Sequence, residues 1–144
     1  MIKNVGCLLV MLVTASALYA NGIPQFSADQ IAAKSVQALR ALQSQLKSDI
    51  DLEIGQAKCT QDSHCKALAI GANPCGGPES YQAYSSLESD VVQLTQLAEQ
   101  YKLVRKTLHA KTGTMGACVV IPEPSVQCKN QQCVSIQKPD VLVF

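Results

Sequence analysis

Apolar side chains follow three patterns along this chain, and each predicts a different kind of element. The first is a run from Val5 to Val13, interrupted by Gly6 alone. At about nine residues it falls well short of the roughly 20 that a membrane-spanning helix needs. The positive segment Met1-Ile2-Lys3-Asn4 precedes it, and Ala15-Ser16-Ala17 and Ala20 follow as small-residue cleavage positions. This is the layout of a cleavable signal peptide. Cleavage is expected after Ala20, with Ala17 as second choice, which gives a signal peptide over 1–20 and a single disulfide-rich domain over 21–144. Cys7 lies inside the apolar run without the small and aliphatic residues that precede a lipid-attachment cysteine, so a lipoprotein is not expected.

The second pattern is a stripe at spacings of three and four. Ala32, Val36, Leu39, Leu42, Leu46 and Ile50 form one such stripe, which predicts an amphipathic helix over about 28–54. Its start is well marked. Ser27 is placed to cap, Gln30 completes a capping box, and Phe26 and Ile31 occupy the staple positions. Its end is ambiguous, because Ile50-Asp51-Leu52-Glu53-Ile54 also alternates like a strand before Gly55. Leu87, Val91, Leu94, Leu97, Tyr101, Val104 and Leu108 form a second stripe, predicting a helix over about 86–112 that stops at Gly113. Each helix would be about 40 Å long at 1.5 Å per residue, and packing the two seams together is the economical way to bury both.

The third pattern is short. Cys65 to Ile70, Cys118 to Ile121 and Cys133 to Ile136 are small apolar runs bounded by Gly, Pro, Asn or Gln, as expected of short strands. Together the patterns predict an α+β fold, with two long antiparallel helices packed on a small, disulfide-stapled antiparallel sheet.

Composition changes the picture in two ways. Removing the leader takes Cys7 with it and leaves Cys59, Cys65, Cys75, Cys118, Cys128 and Cys133, an even set. In a small exported chain such a set reads as a disulfide framework. Fifteen pairings are possible, of which a local Cys128–Cys133 bridge is sterically easy, and spacing does not choose among them. Bridges would also supplement a modest core, since a chain this size buries only about two-thirds of its unfolded surface and this one has no Trp. Removing Lys3 leaves eleven basic residues against eleven acidic ones. That neutrality, without a basic run, argues against nucleic acid or an anionic membrane as partner and leaves a small or proteinaceous one.

Candidate chemistry is sparse. The most distinctive stretch runs from Gly71 to Tyr81, where two prolines and three glycines shape a loop that Cys75 pins. It reads either as a structural turn or as a preorganised recognition loop, whose binding residues would be Asn73, Pro74, Gly76, Gly77, Pro78, Glu79 and Tyr81. Cys75-Gly76 with Tyr81 is weakly similar to Kazal-type protease inhibitors, but the Tyr comes one position early and no cysteine follows until Cys118. His64 and His109 are expected at the surface, with no nucleophile set against either. Cys59, His64 and Cys65 could be drawn as a zinc site, against which disulfide formation competes. Asp49, Asp51 and Glu53 point in different directions on a helix and read as a solvated face. No phosphate-binding motif occurs, since Gly76-Gly77 is followed by Pro78. No catalytic residue, metal or cofactor is therefore assigned.

The cysteine segments carry a resemblance. Cys59-x5-Cys65, Gly71-x3-Cys75-Gly76-Gly77-Pro78, Tyr81, Tyr84-Ser85 and Cys118-x3-Pro122-x5-Cys128-x4-Cys133 resemble a family of small signal-peptide-bearing bacterial proteins of uncharacterised activity that share a Cys-Gly-Gly-Pro loop. The resemblance covers about 54–136 and implies a periplasmic or secreted location in Gram-negative bacteria. The function expected is that of an exported, non-enzymatic binding protein with a protein partner in the envelope or host, a candidate for effector-like release by type II secretion. The alternative is an envelope inhibitor of a protease or other hydrolase.

Overall fold

The computed structural model describes residues 25–116 and 118–136, so the expected signal peptide and its cleavage site lie outside the described residues. In chain order the elements are helices α1 (Ala28–Ala32) and α2 (Val36–Ile54), a single 3-10 turn (Asp62–His64), strands β1 (Cys65–Ile70) and β2 (Ser80–Ser85), helix α3 (Val91–Thr112), and strands β3 (Ser125–Lys129) and β4 (Gln132–Ile136). The fold is α+β.

Local chemistry explains where the helices begin. Ser27 Oγ accepts from the Gln30 amide and Gln30 Oε1 accepts from the Ser27 amide, so the capping box forms, and Phe26 packs against the core beside fully buried Ile31. The continuous helix expected over 28–54 is broken, however. Ser35 is a second N-cap, its Oγ accepting from the Ala38 amide at 3.2 Å, and the chain leaves helical geometry between Ala32 and Val36. A serine hydroxyl that captures an amide three residues on competes with the helical ladder. Ala32 is exposed in consequence, and the buried seam of α2 is Leu39, Leu46, Ile50 and Ile54. Helical rather than strand geometry wins at its end, because Leu52 is 76% exposed while Ile50 and Ile54 are buried.

Helix α3 starts five residues later than expected. Asp90 caps it, with Oδ1 accepting from the Val92 and Gln93 amides at 2.9 and 3.0 Å. Leu87 and Val91 are therefore not seam residues and are exposed. The chain before Asp90 belongs to β2 and a turn in which Ser85 Oγ accepts from the Leu87 amide. From Leu94 onward the stripe holds, burying Leu97, Ala98, Tyr101, Val104 and Leu108. The helix ends at Gly113, in the left-handed conformation at φ 62°.

Helices α2 and α3 are antiparallel. Glu53, near the end of α2, accepts from the amide of Asp90 at the start of α3, and Gln43, in the first half of α2, reaches Tyr101 and Arg105 far along α3. Their seams form one hydrophobic core with Leu68, Ile70 and Tyr84 from the strands.

The sheet is two antiparallel hairpins rather than one ladder. β1 pairs β2 from Cys65 opposite Ser85 to Ile70 opposite Ser80, and β3 pairs β4 from Ser125 opposite Ile136 to Lys129 opposite Gln132. Residues Asn130 and Gln131 join the second hairpin at φ 52° and 64°, the two-residue turn whose twist matches paired strands. One expectation fails here: Cys118 to Ile121 makes no ladder, and the remaining strand is β3, which carries Cys128.

Among the described residues all six cysteines are paired, as Cys59–Cys128, Cys65–Cys133 and Cys75–Cys118. The local Cys128–Cys133 bridge does not form. Those residues stand directly opposite each other across the hairpin, but each bonds to a cysteine of the earlier segment. Sequence separations of 69, 68 and 43 put each closure at about 4 kcal/mol on a chain-entropy account.

Candidate functional site

Residues 71–79 connect β1 to β2 and Tyr81 is already in β2, so the distinctive loop of the sequence is a hairpin tip. It is fixed from both ends. At its base the Glu79 amide donates to Ile70 O at 2.8 Å. The Glu79 carboxylate turns inward, where Arg105 Nε donates to Oε1 at 2.8 Å and to Oε2 at 3.1 Å, with Nη2 adding a further bond. Arg105 is itself held by Gln43 Oε1. His109 Nε2 lies 3.0 Å from Ala72 O and 3.3 Å from Glu79 Oε1. Both partners only accept, so Nε2 carries the proton. His109 is thus not a surface residue as expected but a partly buried clamp on the loop backbone. Gly71 makes the arrangement possible, since at φ 76° a Cβ there would run into the Glu79 carboxylate.

Asn73 organises the tip. Its carbonyl accepts from the Gly76 amide and its amide donates to Gly77 O, both at 2.9 Å. Its side-chain Oδ1 accepts from the Cys75 amide at 3.3 Å, an Asx turn, while Nδ2 donates to Val119 O at 3.2 Å. That last bond and the Cys75–Cys118 bridge fasten the tip to the 114–120 segment. Gly116 passes close enough that a Cβ there would lie 3.2 Å from the Pro74 ring.

The seven loop residues therefore divide. Asn73 and Glu79 spend their polar groups inside the structure, Pro74, Gly76 and Gly77 are exposed, and Pro78 and Tyr81 are half-buried. Sequence reasoning missed the segment fastened to the tip, which carries Met115 (94% exposed), Val119 (40%) and Val120 (81%). The signal available was an apolar pair directly after Cys118, which instead suggested a strand.

Other candidates disperse. His64 Nδ1 lies 3.2 Å from Thr60 Oγ1 and Nε2 lies 3.0 Å from Gln61 Nε2, while Cys59 and Cys65 are committed to bridges with different partners. Asp49 bonds Gln45, Asp51 takes Lys47 and Gln82, and Glu53 accepts from the Asp90 amide, so the three carboxylates share no site. Burial raises the Asp51 pKa, but hydrogen bonds from Lys47 and Gln82 and the Lys47 charge together hold it below its ordinary value. An open groove of about 550 Å³ runs along α2 past Gln43, Lys47, Asp51 and Tyr101, with its two charges paired to each other. Among the described residues, no helix is long and apolar enough to cross a membrane. No family model, no curated protein and no solved structure matches this chain.

Proposed function

We propose that this chain is an exported, non-enzymatic binding protein that meets a protein partner through the hairpin tip around Cys75 and the 115–120 segment fastened to it. The observation that carries the reading is the division of the tip. Its polar groups are consumed internally by Arg105, His109 and its own backbone, while Pro74, Met115, Val119 and Val120 face outward. A loop already held in one conformation loses little entropy on binding, and exposed apolar side chains supply area to bury. A neutral mature chain suits a partner recognised by shape and apolar contact rather than by charge. Three disulfides fit periplasmic or extracellular surroundings, and release by type II secretion is the form of export proposed. The inhibitor alternative draws no support from the tip, because a turn closed on Asn73 offers no extended segment for a protease cleft.

Affinity capture from envelope and host extracts tests this, comparing the native chain with Met115→Ser/Val120→Ser. A partner retained by the native chain and lost with the variant is the expected result. Identical capture by both would remove the tip as the recognition surface.

A further inference from the structure

The three bridges differ in what an attacking thiol can reach. Cys75 and Cys118 are both exposed, whereas Cys59, Cys65 and Cys133 are buried and Cys128 is half-buried against the core. Thiol–disulfide exchange needs access to a sulfur, so burial shields the other two bridges. The tip also has room around it, since nothing lies within 4 Å of a Cβ at Gly76 or Gly77, the two residues after Cys75.

A second difference is what surrounds a released thiol. The sulfurs of Cys59, Cys65 and Cys133 lie within 4.8 Å of one another, so a thiolate freed from the Cys65–Cys133 bridge has a sulfur of the Cys59–Cys128 bridge beside it. Intramolecular attack on that neighbour outruns attack by any thiol in solution. Cys75 and Cys118 belong to no such group among the described residues, so an opening at the tip is not recaptured in this way.

The two halves of the tip are also supported unequally. Asn73, bonded to the Cys75 and Gly76 amides and to Gly77 O, and the Glu79–Arg105 pair hold the loop without help from the bridge. The 114–120 segment is tied to the loop by the Asn73 Nδ2 bond to Val119 O at 3.2 Å and by the bridge itself. Cys75 Sγ lies 3.7 Å from Gly116 O but has no proton to donate while bridged. A released Cys75 thiol has one, and that carbonyl is its acceptor.

We infer that the Cys75–Cys118 bridge is a covalent modification site that takes a small cysteinyl thiol by exchange. The thiolate attacks Sγ of one cysteine and forms a mixed disulfide. The bridge S–S bond breaks, and its electron pair leaves on the other sulfur, which takes up a proton. One disulfide replaces another, so no oxidant or reductant is consumed and the step suits an oxidising compartment. The exchange stands independently of the tip's role in recognition. Where that role holds, the adduct separates Pro74 from Met115, Val119 and Val120 and so divides the recognition surface.

Reduced glutathione, added without oxygen to the full chain carrying Cys7→Ser and quenched with acid at intervals, tests the inference by peptide mass mapping. The first product expected is a single glutathione adduct at Cys75 or Cys118, formed about tenfold or more faster than either other bridge opens. It should keep the native far-UV circular dichroism and lose the nuclear Overhauser contact between the Pro74 ring and Gly116. Adding Cys75→Ser/Cys118→Ser should abolish this fast uptake. A first adduct at any other cysteine, equal opening rates, or an adduct lacking the native helical signal would each overturn the site. A persistent Pro74–Gly116 contact would overturn the separation. Fast exchange at the tip together with unchanged partner capture by Met115→Ser/Val120→Ser would support the exchange site and remove the recognition reading alone.

Discussion

Arg105, three turns into the buried part of α3, donates through Nε to both carboxylate oxygens of Glu79, at the far end of the β1–β2 connection. A helix of the core thereby sets the conformation of an exposed loop. Arg105→Met should leave Glu79 without its cation in a partly buried position. We expect a loss of about 1–3 kcal/mol in chemical denaturation, with faster hydrogen exchange at the Asn73 and Gly76 amides and an unchanged helical signal. Restoration of slow exchange by Arg105→Met/Glu79→Gln would locate the defect in the stranded charge. No loss in Arg105→Met would mean the pair does not set the loop.

Gly71 and Gly76 both have positive φ, but they differ in what a side chain would meet. Nothing lies within 4 Å of a Cβ at Gly76, whereas one at Gly71 would displace the Glu79 carboxylate. Gly76→Ala is expected to cost about 1–2 kcal/mol for its backbone alone. Gly71→Ala should cost measurably more, and thermal denaturation of the two variants checks the order. Equal costs would show that the carboxylate moves aside freely.

The end of α2 gives a sharp test of helical register. Leu52→Ser, at an exposed position, should change stability by no more than about 0.5 kcal/mol. Ile54→Ala, two residues on and buried, should cost about 2–5 kcal/mol. A strand would place both residues on one face and make the two costs similar.

Asp51 supplies a small pH dependence. Burial works against its ionisation, but Lys47 and Gln82 outweigh burial and its folded pKa is depressed. A depressed carboxylate contributes stability above its unfolded pKa, which is lost as pH falls through the folded value. Because Asp51 is about half exposed, solvent screening limits the effect to about 0.5 kcal/mol or less. Asp51→Asn should therefore lower stability by that small amount at neutral pH and converge with the native chain as pH falls below about 5, as read by denaturant midpoints across pH.

The helices were legible because their burial is periodic: Leu94 to Leu108 could be assigned from spacing alone. The break at Ser35 was not, since the interval from Ala32 to Val36 fits an unbroken stripe and only the competing serine cap reveals it. Strand β2 was hidden for a different reason. Ser80-Tyr81-Gln82-Ala83-Tyr84-Ser85 alternates only as far as Ala83, too short a pattern to stand out, and it is a strand through its pairing with β1. Val119 and Val120 failed in the opposite sense, looking like a strand and finding no partner. The number of bridges followed from counting cysteines, but their pairing depends on which hairpin faces which. Glu79, Arg105 and His109 were illegible as a group because they meet through a fold that brings α3 under the β1–β2 loop.

Every bridge joins a cysteine from before α3 to one from after it. A chain that emerges from its N-terminus presents Cys59, Cys65 and Cys75 long before any correct partner exists, so early oxidation among those three can only produce wrong pairs. Correct maturation then requires either delay until the β3–β4 hairpin has been delivered or an isomerase that undoes early mistakes. The third helix is in this sense a timer: its length sets how long three reactive thiols must wait.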